Sequence, residues 1–528
     1  MSSSRPDHPG APPVGHLADL VSRAAVERPG HDAIRDVSGP SPSTLSWAEF
    51  DAAVTAEAGR LRAAGVRPGD RVAIALPDGA ALCVALLGAL RADAAVVPLA
   101  PDSVPRELEA VLGQAAPAAV VADPDDRFAA AAAAACGACV LTPPDPAAAP
   151  SGAEPAPPRT DADPEALALI VFTSGTTGRP RGVQLSHRAL LANREQAAAL
   201  RPAPVNGVDR VLLALPLFHI YGLAAGLLQV CRAGATVVLP GRFDPERMLA
   251  SVVDERVSVI AGVPSMFRML LDLGADRLRP ALGGVRLCTS GGAPLPADWL
   301  TDFREATGLD LHEGYGLTEG GPVITTNDLG RPAKPGSVGR PLPGVELRLV
   351  DREGRPLSAT EPVPDAEELD ADDGSDPTED TGLIALRGPN LFSGYWPDGR
   401  DGPDPDGWFR TADVGYLDAE GDLHLVDRSS DLVIVNGFNV FPREVEQVIA
   451  ELDGVAEVAV VGVPDDRTGA AVKAVVVGLP GAGLTEEAVR GHCAARLARF
   501  KRPAVVAFAE ELPRTPTGKI ARRMLARL

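Results

Sequence analysis

Short apolar runs alternate with longer stretches of helical periodicity along the first part of the chain. DRVAIAL (70–76) precedes ALCVALLGALRA, and AAVVPLA and PAAVVAD follow as further β-like runs. HLADLVSRAAVERP carries its apolar residues at helical spacing. Strands that alternate with helices predict an α/β architecture with a largely parallel sheet. At 528 residues the chain exceeds a single core, so two or more domains are expected.

Two stretches break the alternation. Residues 143–165 are rich in Pro and Ala and read as an extended linker. Residues 360–380 are densely acidic, lie between VELRLVD and GLIALRG, and read as a solvated loop that lengthens a hairpin connection. From about residue 428 a second pattern begins. EVEQVIAEL and TEEAVRGHCAARLARF read as helices, and VAEVAVVGVPD and AAVKAVVVG as strands. The expected division is therefore 1–427 and 428–528, with the latter a small α+β module.

Bulk properties exclude some functions. The net charge of -21 opposes nucleic-acid binding, because a phosphate backbone would be repelled. The N-terminus lacks an apolar signal core, and the alanine run near 129–135 is too short to span a bilayer, so a cytoplasmic protein is expected. Cys136 and Cys139 are the only closely spaced cysteines, and all six read as reduced thiols.

The most chemically suggestive segment is FTSGTTGRPRGV (172–183), directly after the apolar run LALIVF (167–172) and before a helix expected at SHRALLANR. Glycines let backbone amides turn toward an anion, and hydroxyls add donors, so the loop suits phosphate. It lacks the Walker spacing.

This segment resembles the phosphate loop of the adenylate-forming (AMP-binding) superfamily, and further resemblances follow in that family's order. LPLFHIYGL (215–223) resembles the segment beside the acyl pocket, and SGGAPL (290–295) the adenine-binding turn. EGYGLTEGGP (313–322) resembles the motif with a magnesium-associated Glu, and GWFRTADVGYLD (407–418) the ribose-binding motif. DRSSDLVIVNGFNVFPREVE (427–446) resembles the hinge, and PRTPTGKIARR (513–523) the loop with the catalytic lysine. The resemblance covers nearly the whole chain. It implies a large N-terminal domain of mixed and parallel sheets with flanking helices, plus a small mobile α+β C-terminal domain. The implied activity is that of an acyl-CoA synthetase, which joins an acid to AMP and then passes the acyl group to coenzyme A. ATP, Mg2+ and coenzyme A are the implied cofactors.

Residue roles follow from the same resemblance. Thr173, Ser174, Gly175, Thr176, Thr177 and Gly178 would wrap the β- and γ-phosphates. Thr318 would donate to the α-phosphate, and Glu319 would hold Mg2+. Tyr315 would stack on adenine opposite Gly292, Ala293 and Pro294. Asp413 and Arg428 would bind the ribose. Lys519 would bridge the carboxylate and α-phosphate. Gly437 would let the pantetheine arm pass, and His219 would gate the carboxylate site.

Two positions depart from the family pattern. Arg181 stands where a lysine is usual, near the departing pyrophosphate, and Ser430 stands at the hinge. They keep open a non-adenylating relative that performs only thioesterification; a luciferase-type oxygenase is a remoter alternative. The segments around the acyl pocket are apolar, with Arg268 as their one basic residue. LFHIYG lacks the Asp that amino-acid-activating relatives carry, so an apolar organic acid is expected. Small residues at Gly291, Gly292, Gly320 and Gly321 suggest room for a bulky acyl group. The acceptor is coenzyme A or a separate carrier protein. Arg443, Lys501 and Arg502 are candidates for its phosphate.

Overall fold

A computed structural model describes all residues except 1–14, 102, 104, 124–135, 149–153, 158, 160–161, 175–179, 352, 358–380, 429–432, 436–437, 466–468, 498–500, 515–519 and 527–528. The chain divides into two compact units. One comprises Met1–Leu347 and Leu386–Phe409, the other Arg348–Ala385 and Arg410–Leu528.

The first unit is built on two sheets. The six-stranded sheet runs Cys139–Leu141, Ala119–Ala122, Arg71–Ala75, Ala95–Pro98, Leu167–Ser174, Pro180–Ser186. Its pairs are parallel except the last, which is antiparallel. The central strands Arg71–Ala75, Ala95–Pro98 and Ala119–Ala122 are largely buried runs of Val, Ala and Ile, as a sheet covered on both faces requires. The helix Ala80–Arg91 follows Arg71–Ala75 and is buried along its length. The nine-stranded sheet has a parallel centre, from Asp32–Asp36 through Thr236–Leu239, Arg210–Leu213, Val259–Gly262 and Leu287–Ser290 to Leu311–Gly316. Antiparallel strands close both of its margins.

Local chemistry sets the helix starts. Ser46 and Glu49 form a reciprocal capping box before Trp47–Ala63. The Ser186 hydroxyl accepts from Ala189 N at the start of His187–Ala198.

The helix expected at SHRALLANR is present as His187–Ala198. The strand Pro180–Ser186, which the sequence reading did not identify, precedes it and pairs antiparallel with Leu167–Ser174.

The second unit contains most of a four-stranded sheet, Glu346–Val350, Gly382–Arg387, Trp408–Leu417, Leu423–Arg428. The acidic stretch 360–380 lies outside the described residues. The unit also holds the long hairpin Val455–Asp465 and Gly469–Gly478, flanked by the helices Pro442–Ala450 and Glu486–Arg496 around a core including Val445, Ile449, Val460 and Val489. Among the described residues, no helix is long and apolar enough to cross a membrane.

Candidate active site

The hairpin carrying residues 175–179 is fixed at both ends. Thr173 is the register partner of Arg181, and Ser174 of Pro180. The Thr173 hydroxyl donates to the Arg181 carbonyl at 3.5 Å. Gly182 has no space for a side chain, since a Cβ there would lie 2.9 Å from Ile170 Cγ2 and 3.1 Å from both Phe172 Cζ and Trp396 Cβ. Pro180–Ser186 is the edge strand, and residues 393–396 cover it. Gln184 N donates to Gly394 O (3.1 Å), Ser393 N to Gln184 O (2.9 Å) and Trp396 N to Gly182 O (2.7 Å). An exposed edge is thereby paired. Gly175, Thr176, Thr177 and Gly178 lie outside the described residues, and Ser174 is described in its backbone alone.

The same covering segment reaches the turn with Thr318 and Glu319. Thr318–Gly320 is a single 3₁₀ turn, stopped by Gly321 at φ 78°, a left-handed conformation that suits glycine. Asn390 Nδ2 donates to Gly320 O (2.7 Å), and Phe392 N to Glu319 O (2.9 Å). The Tyr395 hydroxyl donates to Glu319 Oε1 at 2.6 Å. Burial, and then the Glu319 carboxylate, push the Tyr395 hydroxyl above its ordinary range, so it keeps its proton and acts as donor. On its other side, the Arg181 guanidinium lies 3.6 Å from the Tyr395 ring centroid and pairs with Asp401 at 2.5 Å. Arg181 and Glu319, expected separately from sequence, thus meet at Tyr395, and Thr173 lies across the hairpin from Arg181. The sequence reading missed Tyr395, Asn390 and Asp401, although LFSGYW stands out as aromatic residues around a glycine in an aromatic-poor chain.

The turn expected at adenine follows the strand Leu287–Ser290. Gly292 takes φ 79°, and its nearest neighbour in the Cβ direction is Val263 Cγ1 at 3.9 Å, so this side of the Gly292–Pro294 turn is open. The exit is held by the buried Glu313, whose Oε1 accepts from Leu295 N at 3.0 Å. Asn327 Oδ1 accepts from Glu313 N at 2.7 Å. Tyr315, two residues along the strand Leu311–Gly316, is 8% exposed. The expected room at the other glycines is only partly present. A Cβ on Gly320 would lie 2.4 Å from Ile324 Cδ1, and one on Gly321 2.8 Å from Asn390 O. Protein atoms already fill those positions, so the space for a bulky acyl group is not there. Gly291 faces the Tyr221 ring at 3.3 Å.

His219 is half-buried just ahead of the π-helix Tyr221–Leu228. Its Nδ1 accepts from Tyr221 N at 3.2 Å. Burial pushes the Tyr221 hydroxyl up to about 12. The π-helix winding brings Gly222 and Gly226 against the preceding chain. Their Cβ atoms would lie 2.3 Å from Pro216 O and 2.6 Å from Leu213 Cδ1. Arg268 is turned to Asp272 (3.3 Å) and Asp302 (3.7 Å).

In the second unit, Asp413 and Arg428 are direct register partners across antiparallel strands, although 15 positions separate them in sequence. The Thr411 hydroxyl accepts from Asp413 N at 3.1 Å and donates to Ile384 O at 3.0 Å. The Arg428 side chain lies outside the described atoms, as do Ser430, Gly437 and Lys519. The segment 515–519 is bounded by the bridge Arg514↔Ile520 and by Ala521 N donating to Pro513 O at 2.7 Å. Arg522 grips Glu446 through both terminal nitrogens, at 2.5 and 3.0 Å. Lys501 is buried against Glu444 at 2.8 Å. That pairing removes it from the candidates for an acceptor phosphate.

Among the described residues, no group of three or more His, Cys, Asp or Glu side chains is placed to hold a metal ion. A lone carboxylate such as Glu319 still fits Mg2+, which is commonly held by one or two carboxylates with substrate phosphates completing its shell.

Comparison with known proteins agrees with this geometry. The AMP-binding enzyme family model matches residues 21–396, and the AMP-binding enzyme C-terminal domain matches 444–519. A long-chain-fatty-acid–CoA ligase of Bacillus subtilis is 36% identical over 69% of this chain and 62% of its own length. A feruloyl-CoA synthase of an Amycolatopsis species is 35% identical over 90% of this chain and 92% of its own. ATP-bound MatB from Rhodopseudomonas palustris superposes with a TM-score of 0.85 at 34% identity, covering 97% of this chain and 98% of that one. The chain therefore belongs to the AMP-binding enzyme family, as an ATP-dependent, AMP-forming acyl-CoA ligase.

Proposed function

We propose that this ligase activates an apolar organic acid and that its adenylation centre is organised around Glu319. The observation that carries this reading is the Glu319 carboxylate held by Tyr395 beside the hairpin that bears residues 175–179. In the first step an oxygen of the acid attacks the α-phosphorus of ATP. The new O–P bond replaces the bond to the β-phosphate oxygen, and pyrophosphate departs. Both partners are anionic, so the centre must offset repulsion and growing charge. Mg2+, held by Glu319, would supply charge neutralisation. Thr173, Ser174 and the amides of Gly175, Thr176, Thr177 and Gly178 would grip the β- and γ-phosphates. Thr318 would donate to the α-phosphate, and Lys519 would bridge it to the acid. Asp413 and Arg428 would hold the ribose, with Tyr315 and the Gly292–Pro294 turn around adenine.

In the second step a thiol attacks the acyl carbon, and AMP leaves with the bridging oxygen. Coenzyme A is the proposed acceptor, with a separate carrier protein as the other thiol source. Residues 428–528 would turn about a hinge near Ser430, withdrawing Lys519 and admitting the pantetheine arm past Gly437. His219 would gate the carboxylate end of the pocket. Two observations support an apolar acid. Arg268 is committed to Asp272 and Asp302, and the neighbouring Leu217, Ile220, Met266 and Phe267 are buried. A cytoplasmic setting suits a consumer of ATP and coenzyme A.

The test is a panel of fatty, aryl, polycyclic and dicarboxylic acids, each incubated with ATP and Mg2+, with acyl-AMP and acyl-CoA counted separately by mass spectrometry. Turnover of apolar acids is expected. Preference for dicarboxylic acids would refute the assignment of substrate class.

A further inference from the structure

We infer that Tyr395 is a positioning residue for the metal-holding carboxylate and that Arg181 locks Tyr395 in place through a contact only a planar guanidinium can make. The inference rests on the proposed role of Glu319.

Three observations converge. First, the segment Asn390–Trp396 ties two distant parts of one unit together. At one end it pairs with the edge strand Pro180–Ser186, through Ser393, Gly394 and Trp396. At the other it holds the 3₁₀ turn, through Asn390 to Gly320 O and Phe392 to Glu319 O. Tyr395 sits on this strap, and its ring is steadied by Phe392 in an edge contact at 5.1 Å. Second, its hydroxyl donates to Glu319 Oε1 at 2.6 Å, the short distance of a charge-assisted bond. Fixing one carboxylate oxygen orients the other. Third, Arg181 brings Cζ within 3.6 Å of the ring centroid, while Nη2 reaches Asp401 at 2.5 Å. Asp401 is presented at φ 54°, on a turn closed by Tyr395 N donating to Arg400 O at 2.9 Å. Stacking and ion pairing at once need a planar, forked cation. A lysine ammonium is a compact, strongly hydrated point charge and makes one contact or the other.

Arg181 is thus already engaged by Tyr395 and Asp401, and its influence on the phosphates runs through Tyr395 and Glu319. The sequence-based expectation of Arg181 near the departing pyrophosphate is compatible with this indirect role.

The test is calorimetry of ATP binding to the full chain, in Mg2+ and again in EDTA, for the wild type, Tyr395→Phe, Arg181→Lys and Glu319→Gln. A group that orients a metal ligand is commonly worth about ten-fold or more in metal affinity. Tyr395→Phe and Arg181→Lys are each expected to lose about that much of the Mg2+-dependent gain in ATP affinity, with a much smaller change in EDTA. The double variant is expected to be no worse than the weaker single one, since both act through one contact chain. Wild-type Mg2+ dependence in Tyr395→Phe or Arg181→Lys, while Glu319→Gln loses it, would overturn the inference alone. Full Mg2+ dependence in Glu319→Gln would overturn the reading of Glu319, and the inference with it.

Discussion

At the scale of single residues, the adenylation centre joins charges that the chain keeps far apart. Glu319 and its hydroxyl donor Tyr395 are 76 positions distant in sequence, and Arg181 and Asp401 are separated by 220. Motif order pointed to Glu319 and Arg181. Their partners were not legible, because Tyr395 and Asp401 acquire their meaning only when the strap folds back on the edge strand. The glycines near the site carry the opposite lesson. Gly320 and Gly321 look like room for substrate in the sequence, yet Ile324 and the Asn390 carbonyl occupy that room. Lys519 gives the plainest prediction at this scale. Replacing it with alanine should slow acyl-AMP formation by about a hundred-fold or more, the usual loss of one charge-stabilising group. Thioester formation from supplied acyl-AMP should suffer far less. Quenched single-turnover assays of each half-reaction check this, and equal losses in both would remove Lys519 from its proposed place.

At the scale of elements, most of the α/β alternation was readable because the central strands are continuous apolar runs. The strand Pro180–Ser186 was not. It begins with proline, arginine and glycine, and only Val183–Ser186 alternate apolar with polar, the shortest run that signals a strand. Its pairing comes from tertiary contacts on both sides. The turn behind Glu319 depends on close backbone approach. A Cβ at Gly316 would lie 2.0 Å from the Pro322 carbonyl oxygen, and backbone atoms cannot step aside as a flexible side chain can. Gly316→Ala should therefore cost about 1–3 kcal/mol of stability, in the range of overpacking. It should also weaken Mg2+-dependent ATP binding, because Thr318 and Glu319 follow directly. Denaturant unfolding combined with nucleotide titration tests both. An alanine variant of wild-type stability would show that the turn is not constrained as described.

At the scale of the whole molecule, a buried histidine pair ties stability to pH. His16 and His187 stack with ring centroids 3.8 Å apart, both almost fully buried. Leu17 N donates to His187 Nδ1 at 3.2 Å, which requires that nitrogen unprotonated. Burial lowers His187 to about 4, and burial with His187 and nearby arginines lowers His16 to about 2, from an ordinary 6.5. Above pH 6.5 both rings are neutral in either state, and folding loses nothing. Below it the unfolded chain takes up protons that the folded chain refuses. Stability should then fall as pH drops toward 4, by up to about 1.4 kcal/mol per pH unit for each histidine. His187→Gln should flatten that slope in denaturant unfolding followed from pH 7 to 4.5. An unchanged slope would mean the pair is not what the acid limb reports.

The central claim concerns the whole molecule as well: the acid is carried as an acyl-AMP before it becomes a thioester. The most direct measurement uses an acid whose carboxylate bears heavy oxygen, turned over with ATP and coenzyme A, with the label followed into the nucleotide. One labelled oxygen is predicted in AMP, because the bridging oxygen leaves with the phosphate when the thiol attacks the acyl carbon. Thioester formed with unlabelled AMP would contradict the account, since the carboxylate oxygen would then never have been bonded to the α-phosphorus.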